Sequence, residues 1–214
     1  MAANAREQIL GKLRAAQEPF ADVAPVEEKR HMVPSVGDGS PAALYARFKA
    51  EAEKLACVVH EAASDSDAIE TVLDLIGQDE QVLAWDAAHI PLKGLAAALE
   101  AAGVRWATTE KSSEARVGIT GVDAALAATG SIVVVSGPGK SRQPSLLPLV
   151  HVAVMKRDQL LPDIETFYAG LGREDFAAHS NIAVISGPSK SADIAMEMIH
   201  GMHGPGALHL VVVP

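Results

Sequence analysis

The chain has one cysteine, Cys57, among 214 residues, so it can close no disulfide within itself. A single thiol also cannot hold an iron-sulfur cluster, which takes four. No redox centre and no cofactor of its own is therefore expected, and electron transfer would belong to a partner. Cys57 lies in the apolar run Leu55-Ala56-Cys57-Val58-Val59, where a small buried hydrophobe is the simplest account of it.

Aromatic residues make up only 4% of the chain, which leaves the core to Val, Leu, Ile and Ala, the composition of a parallel sheet covered by helices. Basic residues are also in deficit, 18 against 27 acidic, for a formal net charge of −9. Without clustered Lys and Arg there is no nucleic-acid surface. Long apolar runs are missing too: 146–155 is the longest, is interrupted by Pro148 and His151, and is far short of a membrane span. Residues 1–16 mix apolar side chains with Arg6, Glu7, Lys12 and Arg14, unlike a secretory signal, so a cytoplasmic location is expected.

What is present is a regular alternation. Asn4 and Glu7 form a capping-box pattern ahead of Ile9, Leu10 and Leu13, predicting a short helix to about Gln17. A proline- and glycine-bearing linker follows to residue 40, so 1–40 reads as an N-terminal helix and linker and 41–214 as the α/β domain. Ser40-Pro41 opens a second helix. Strands are expected at 57–60, 81–85, 104–108, 117–120, 131–136, 151–155, 181–186 and 208–213. Helices are expected at 67–76, 91–102, 122–127, 158–171 and 191–201. This order implies a mainly parallel sheet with helices on both faces.

Two strands run into the same six-residue pattern, Ser136-Gly137-Pro138-Gly139-Lys140-Ser141 and Ser186-Gly187-Pro188-Ser189-Lys190-Ser191. Because parallel strands deliver their carboxyl ends to one side, both glycine turns are expected at one sheet edge, and the second, ahead of an expected helix carrying Asp193, could bind an anion. Chain turning alone would equally explain Gly and Pro. A nucleotide phosphate loop is excluded because the position that needs its first glycine is Val134. Asp123, after Thr120-Gly121, and Asp193 could act in a site or merely cap helices. Arg142, on a glycine loop with few acidic neighbours, has the planar fork that grips a carboxylate or phosphate. His200 and His203 have a metal-like spacing that Gly201 and Gly204-Pro205 spoil, so no metal site is assigned and His203 is read as part of a turn. His151 reads as a core histidine satisfied by backbone. Arg142 and the turn His203-Gly204-Pro205 are expected to border one pocket with Thr120, Asp123, Ser189 and Asp193.

Three stretches taken together resemble a known family. They are 118–131 (Gly118-Ile119-Thr120-Gly121-Val122-Asp123 through Ala128-Thr129-Gly130-Ser131), 145–151 (Ser145-Leu146-Leu147-Pro148-Leu149-Val150-His151), and 185–194 with 201–205. In order and content they resemble the LUD-domain family of lactate utilization proteins, and 6–16 resembles the opening of its C-type member. The resemblance implies a fold similar to CoA transferases and sugar-phosphate isomerases. It also implies a place in the cytoplasmic system that oxidises L-lactate to pyruvate, with iron-sulfur proteins as partners and a small anionic ligand. On these motifs the candidate ligand-binding residues are Thr120, Asp123, Thr129, Gly137, Arg142, Ser186, Gly187, Ser189, Lys190, Asp193 and His203; no catalytic residue is assigned. Lys190-Ser191 departs from the family's usual Arg-Thr, Met202 from Val, and Ala128 from a polar residue. An accessory or substrate-handling subunit, a free-standing enzyme on an anionic acyl, CoA or sugar-phosphate compound, and a scaffold domain all remain open.

Overall fold

The computed structural model describes residues 5–17, 36–108, 115–172, 181–192 and 198–214. The chain divides into two units, Met1–Met32 and Val33–Pro214. In the first, α1 (Ala5–Gln17) forms where the 3.6-residue period places it, with Ile9 and Leu13 more than half exposed. Asn4 and most of the linker lie outside the described residues.

The second unit is built on six strands, β1 (Val58–Glu61), β2 (Gln81–Ala84), β3 (Arg105–Ala107), β4 (Val117–Gly121), β7 (Val150–Lys156) and β12 (Ala207–Val213). Their order is β1-β12-β7-β4-β2-β3 and every neighbouring pair is parallel. The alternation of strand side chains separates two cores. Val117, Ile119, Val152, Val154, Val211 and Val213 pack against α3 (Asp65–Ile76) and α4 (Leu95–Ala101). On the opposite face Ala153, Met155, Leu208, Leu210 and Val212 pack against α2 (Pro41–Lys54) and a second sheet. The sheet is thus mainly parallel with helices on both faces. Serine caps open α2 and α3: Ser40 accepts from the Ala43 N–H and Ser64 from the Asp67 N–H. Among the described residues no helix is long and apolar enough to cross a membrane.

The second sheet was not expected. Its strands β8 (Leu160–Leu161), β5 (Ala124–Leu126), β6 (Ser131–Ser136) and β9 (Asn181–Ile185) lie in the order β8-β5-β6-β9. Residues 122–127 were predicted helical and instead contain β5, hydrogen-bonded antiparallel to β6 through the Gly130 turn. Ala124, Ala125, Leu126, Ala127 and Ala128 are all buried, which requires an apolar environment on every side, and a two-faced strand provides it. The helix predicted over 158–171 shrinks to α5 (Ile164–Ala169), because Pro162 disfavours helix at Leu161 and Asp163 caps the segment that follows. Phe167 of α5 packs on the outer face of the sheet with Val133 and Val135.

The helix predicted over 191–201 is also corrected. β10 (Lys190–Ala192) and β11 (Met198–His200) pair antiparallel, and the Gly201 N–H donates to the Ser189 carbonyl at 3.0 Å to continue the ladder. Asp193 lies outside the described residues. No helix starts at Lys190, so the anion site expected at such a helix start is not formed. The two glycine loops are not at one edge either. β6 and β9 run antiparallel, with Ser136 opposite Asn181 and Ile132 opposite Ile185, so Gly137 and Gly187 leave opposite ends of the pair.

Candidate functional site

The cleft is built from the base of the loop between β6 and β7. After Gly137 the chain makes a tight turn, in which the Lys140 N–H donates to the Gly137 carbonyl at 2.9 Å. The Asp86 N–H, just beyond β2, donates to the Gly139 carbonyl at 2.8 Å. Lys140 pairs with Asp123, and its ammonium lies 4.8 Å from the centre of the Trp85 ring. The other Asp123 oxygen accepts the Val135 N–H at 2.7 Å. Beyond this latch the Trp85 indole N–H donates to the Ser141 carbonyl at 2.8 Å. The short turn Gln143–Ser145 then lies directly on β4. Gly118 makes that approach possible: a Cβ there would stand 1.9 Å from the Pro144 carbonyl oxygen.

Opposite this loop stands β9, and the chain segment 201–205 completes the wall, tied down where the Ser189 N–H donates to the Pro205 carbonyl at 2.8 Å. Together they enclose a cleft of about 280 Å³. Arg142, Ser186, Gly187, Ser189 and His203 all line it. Arg142 and His203 are exposed, and among the described residues the Arg142 guanidinium makes no hydrogen bond or ion pair. Among the described residues no Asp or Glu lines it, in a chain of net charge −9. Among the described residues the cleft therefore offers a cation with no carboxylate paired to it.

The remaining candidates support the cleft or lie away from it. Thr120 is fully buried, its hydroxyl 2.9 Å from the His151 Nε2. His151 thus meets a side-chain hydroxyl where backbone had been expected, and burial pushes its pKa down to about 4. Asp123 belongs to the Lys140 latch, and Gly137 is at that latch's turn. The Thr129 hydroxyl donates to buried Ser131, whose oxygen lies 2.8 Å from that of exposed Ser186, a hydroxyl chain ending at the cleft. Lys190 turns away and donates to the Leu55 carbonyl at 3.0 Å. Gly187 has φ +88°, and a Cβ there would sit 2.6 Å from the same carbonyl oxygen, so only glycine lets the two segments approach. Burial lifts the Cys57 thiol to about 11, which keeps it protonated and inert. Among the described residues no group of three or more His, Cys, Asp or Glu could hold a metal ion.

Sequence reasoning missed Trp85, Ser145, Leu146 and Asn181, all of which line the cleft. One signal was available. Leu146, Leu147 and Leu149 form an apolar run at a loop, and they are 42%, 57% and 64% exposed. Such a run on a surface marks a face that meets something.

The comparisons with known proteins agree with this architecture. The LUD domain model matches residues 45–213. A lactate utilization protein C from Halalkalibacterium halodurans is 33% identical over 160 residues, 69% of this chain and 70% of that relative. Another from Bacillus subtilis is 36% identical over 100 residues, 45% of this chain and 41% of the relative. The crystal structure of a DUF162 family protein from Deinococcus radiodurans superposes with a TM-score of 0.61 at 19% identity, covering 82% of this chain and 99% of that one, a likeness of fold. The match in sequence runs through β4, the hairpin of β5 and β6, and the cleft walls alike: the chain belongs to the LUD domain family.

Proposed function

We propose that this protein serves lactate utilization as a substrate-handling or partner-binding subunit, and that the cleft beside Arg142 is where it takes a small carboxylate. The observation that carries the reading is the Arg142 guanidinium, which among the described residues has no partner and no acid beside it in the cleft lining. A guanidinium gives a carboxylate two parallel hydrogen bonds, and these strengthen where water is partly excluded. Ser186, Ser189 and His203 add hydroxyl and imidazole groups that could meet the hydroxyl or keto oxygen of such an acid. The volume, about 280 Å³, suits a compact ligand and is small for a whole coenzyme. Relatives named lactate utilization protein C supply the choice of lactate or pyruvate among small acids. With one cysteine in this chain, the oxidation itself falls to partners, for which iron-sulfur proteins are the natural electron acceptors.

The test is ligand-induced thermal stabilisation by L-lactate and pyruvate, together with growth on L-lactate of a strain deleted for the gene and complemented by wild type or Arg142→Ala. The expected result is stabilisation and growth with wild type and loss of both with Arg142→Ala. Growth and ligand response unchanged in the variant would overturn the reading.

A further inference from the structure

β9 is the last strand of its sheet, and among the described residues nothing pairs with its outer side. Edge strands are usually protected by lysine, proline or a bulge, because their free N–H and C=O groups recruit other strands. β9, with the sequence Asn181-Ile182-Ala183-Val184-Ile185, has none of these, and Val184 is 43% exposed.

The cleft lies along this edge. Ala183, Val184, Ile185 and Ser186 line it consecutively. Alternate residues of a strand point to opposite faces, so a cavity touched by consecutive ones meets the strand from its side. Asn181 also lines the cleft, and its side-chain oxygen is buried without a hydrogen-bond partner among the described residues. The groups awaiting partners are thus a row of backbone donors and acceptors, an amide oxygen that needs an N–H, and a guanidinium that needs an anion. Exposed Leu146 on the opposite wall, with Met202 60% exposed two residues before lining Gly204, gives the mouth an apolar rim.

A hydroxy acid held by Arg142, Ser186, Ser189 and His203 leaves the backbone row of β9 unanswered. We propose that an extended, mainly apolar peptide segment of a partner protein adds as a fifth strand along the edge of β9, with only its end entering the cleft to place a carboxylate on Arg142. Main-chain hydrogen bonds supply the affinity in such strand addition, and the apolar rim and the arginine select the sequence. The inference deepens the partner-binding side of the function proposed above and rests on the same cleft.

The probes are a fluorescein-labelled library of apolar peptides matched to the five residues of β9, each made with a free carboxyl terminus and as the terminal amide. Binding is read by anisotropy on the full chain, and backbone contact by amide hydrogen exchange of 181–185. L-lactate is titrated in parallel. The expected result is that free-acid peptides bind, that their amides bind about tenfold more weakly, and that Arg142→Ala erases the difference between the two. Exchange at β9 should slow with peptide and stay unchanged with lactate. Absence of binding at about 1 mM across the library overturns the inference. So does binding that leaves β9 unprotected, or protection that grows with protein concentration alone, which would give the edge to a second copy. If lactate stabilises the chain while no peptide binds, strand addition fails and the carboxylate reading survives. If peptides bind as described and lactate does not, strand addition stands alone.

Discussion

The parallel sheet and the smaller sheet beside it are made from the same few residue types, yet they differ in what their strands can do. β7 and β12 lie between parallel neighbours, with side chains alternating into two buried cores. β6 is buried along its whole length as well, but β9 beside it is half open and runs the other way. The first sheet is a platform. The second is where backbone, hydroxyls and a cation reach the surface together, because it is small, mixed in direction and ends on a strand whose outer side no described residue pairs with.

The contact between the platform and the loop that forms the cleft is the place to break this division most severely. Gly118→Ala puts a methyl group 1.9 Å from the Pro144 carbonyl oxygen, and both are backbone-anchored. Neither can yield without moving β4 or the turn above it. The expected cost is on the order of 3 kcal/mol or more, read from urea unfolding, with the cleft lost at the same time. A variant within about 0.5 kcal/mol of wild type, the size of a neutral surface change, would show that the turn does not lie on β4.

A comparable effect should come from pH, and it isolates the platform. His151 is buried neutral, its pKa pushed from 6.5 to about 4 by burial. Between those values the unfolded chain binds the proton that the folded chain refuses, so stability is full above pH 6.5 and falls as the pH drops toward 4. The loss from this group is about 3 kcal/mol, levelling off below the folded pKa. Stability curves of wild type and His151→Gln should therefore converge as the solution is acidified. Parallel curves would mean that His151 is not held neutral.

The two sheets were also unequally legible. The strands of the platform follow from Val, Leu and Ile runs bounded by Gly77, Gly103 and the serine caps, signals that act within a few residues. Parallel direction then followed from the intervening helices. Residues 122–128 gave no such signal, since a run of alanines has the highest helix propensity and became a strand only because both its sides are buried. The repeated Ser-Gly-Pro pattern correctly marked two strand ends at 136 and 186 but carried no information on direction, which is set by pairing. Within the site, Arg142, Ser189 and His203 were legible because their residue types bear chemistry; Asn181 and the free edge of β9 were not, because an edge exists only once the sheet is assembled.

A smaller effect is expected at the latch that joins the sheets. Asp123→Ala removes the acceptor of the Val135 N–H and leaves Lys140, only 16% exposed at its side chain, without its carboxylate. The expected destabilisation is about 2 kcal/mol by thermal or urea unfolding, and carboxylate affinity should weaken as the loop bearing Arg142 loosens. Asp123→Asn keeps one acceptor and should recover part of the stability. Equal losses for the two substitutions would assign the effect to charge alone.

The smallest stability change, and the sharpest separation of platform from site, is expected at Arg142. Its side chain is exposed and makes no hydrogen bond or ion pair among the described residues, so Arg142→Lys should shift stability by less than about 0.5 kcal/mol. Charge is kept in that variant, yet an ammonium presents a point charge in place of a planar fork and cannot hold a carboxylate through two parallel bonds. Affinity for L-lactate, measured by titration calorimetry, should fall by about tenfold, the equivalent of about 1.4 kcal/mol, and should become more sensitive to salt. If lysine binds lactate as well as arginine does, the cleft attracts anions only by charge, and the two-point grip on which the choice of a carboxylate rests is absent.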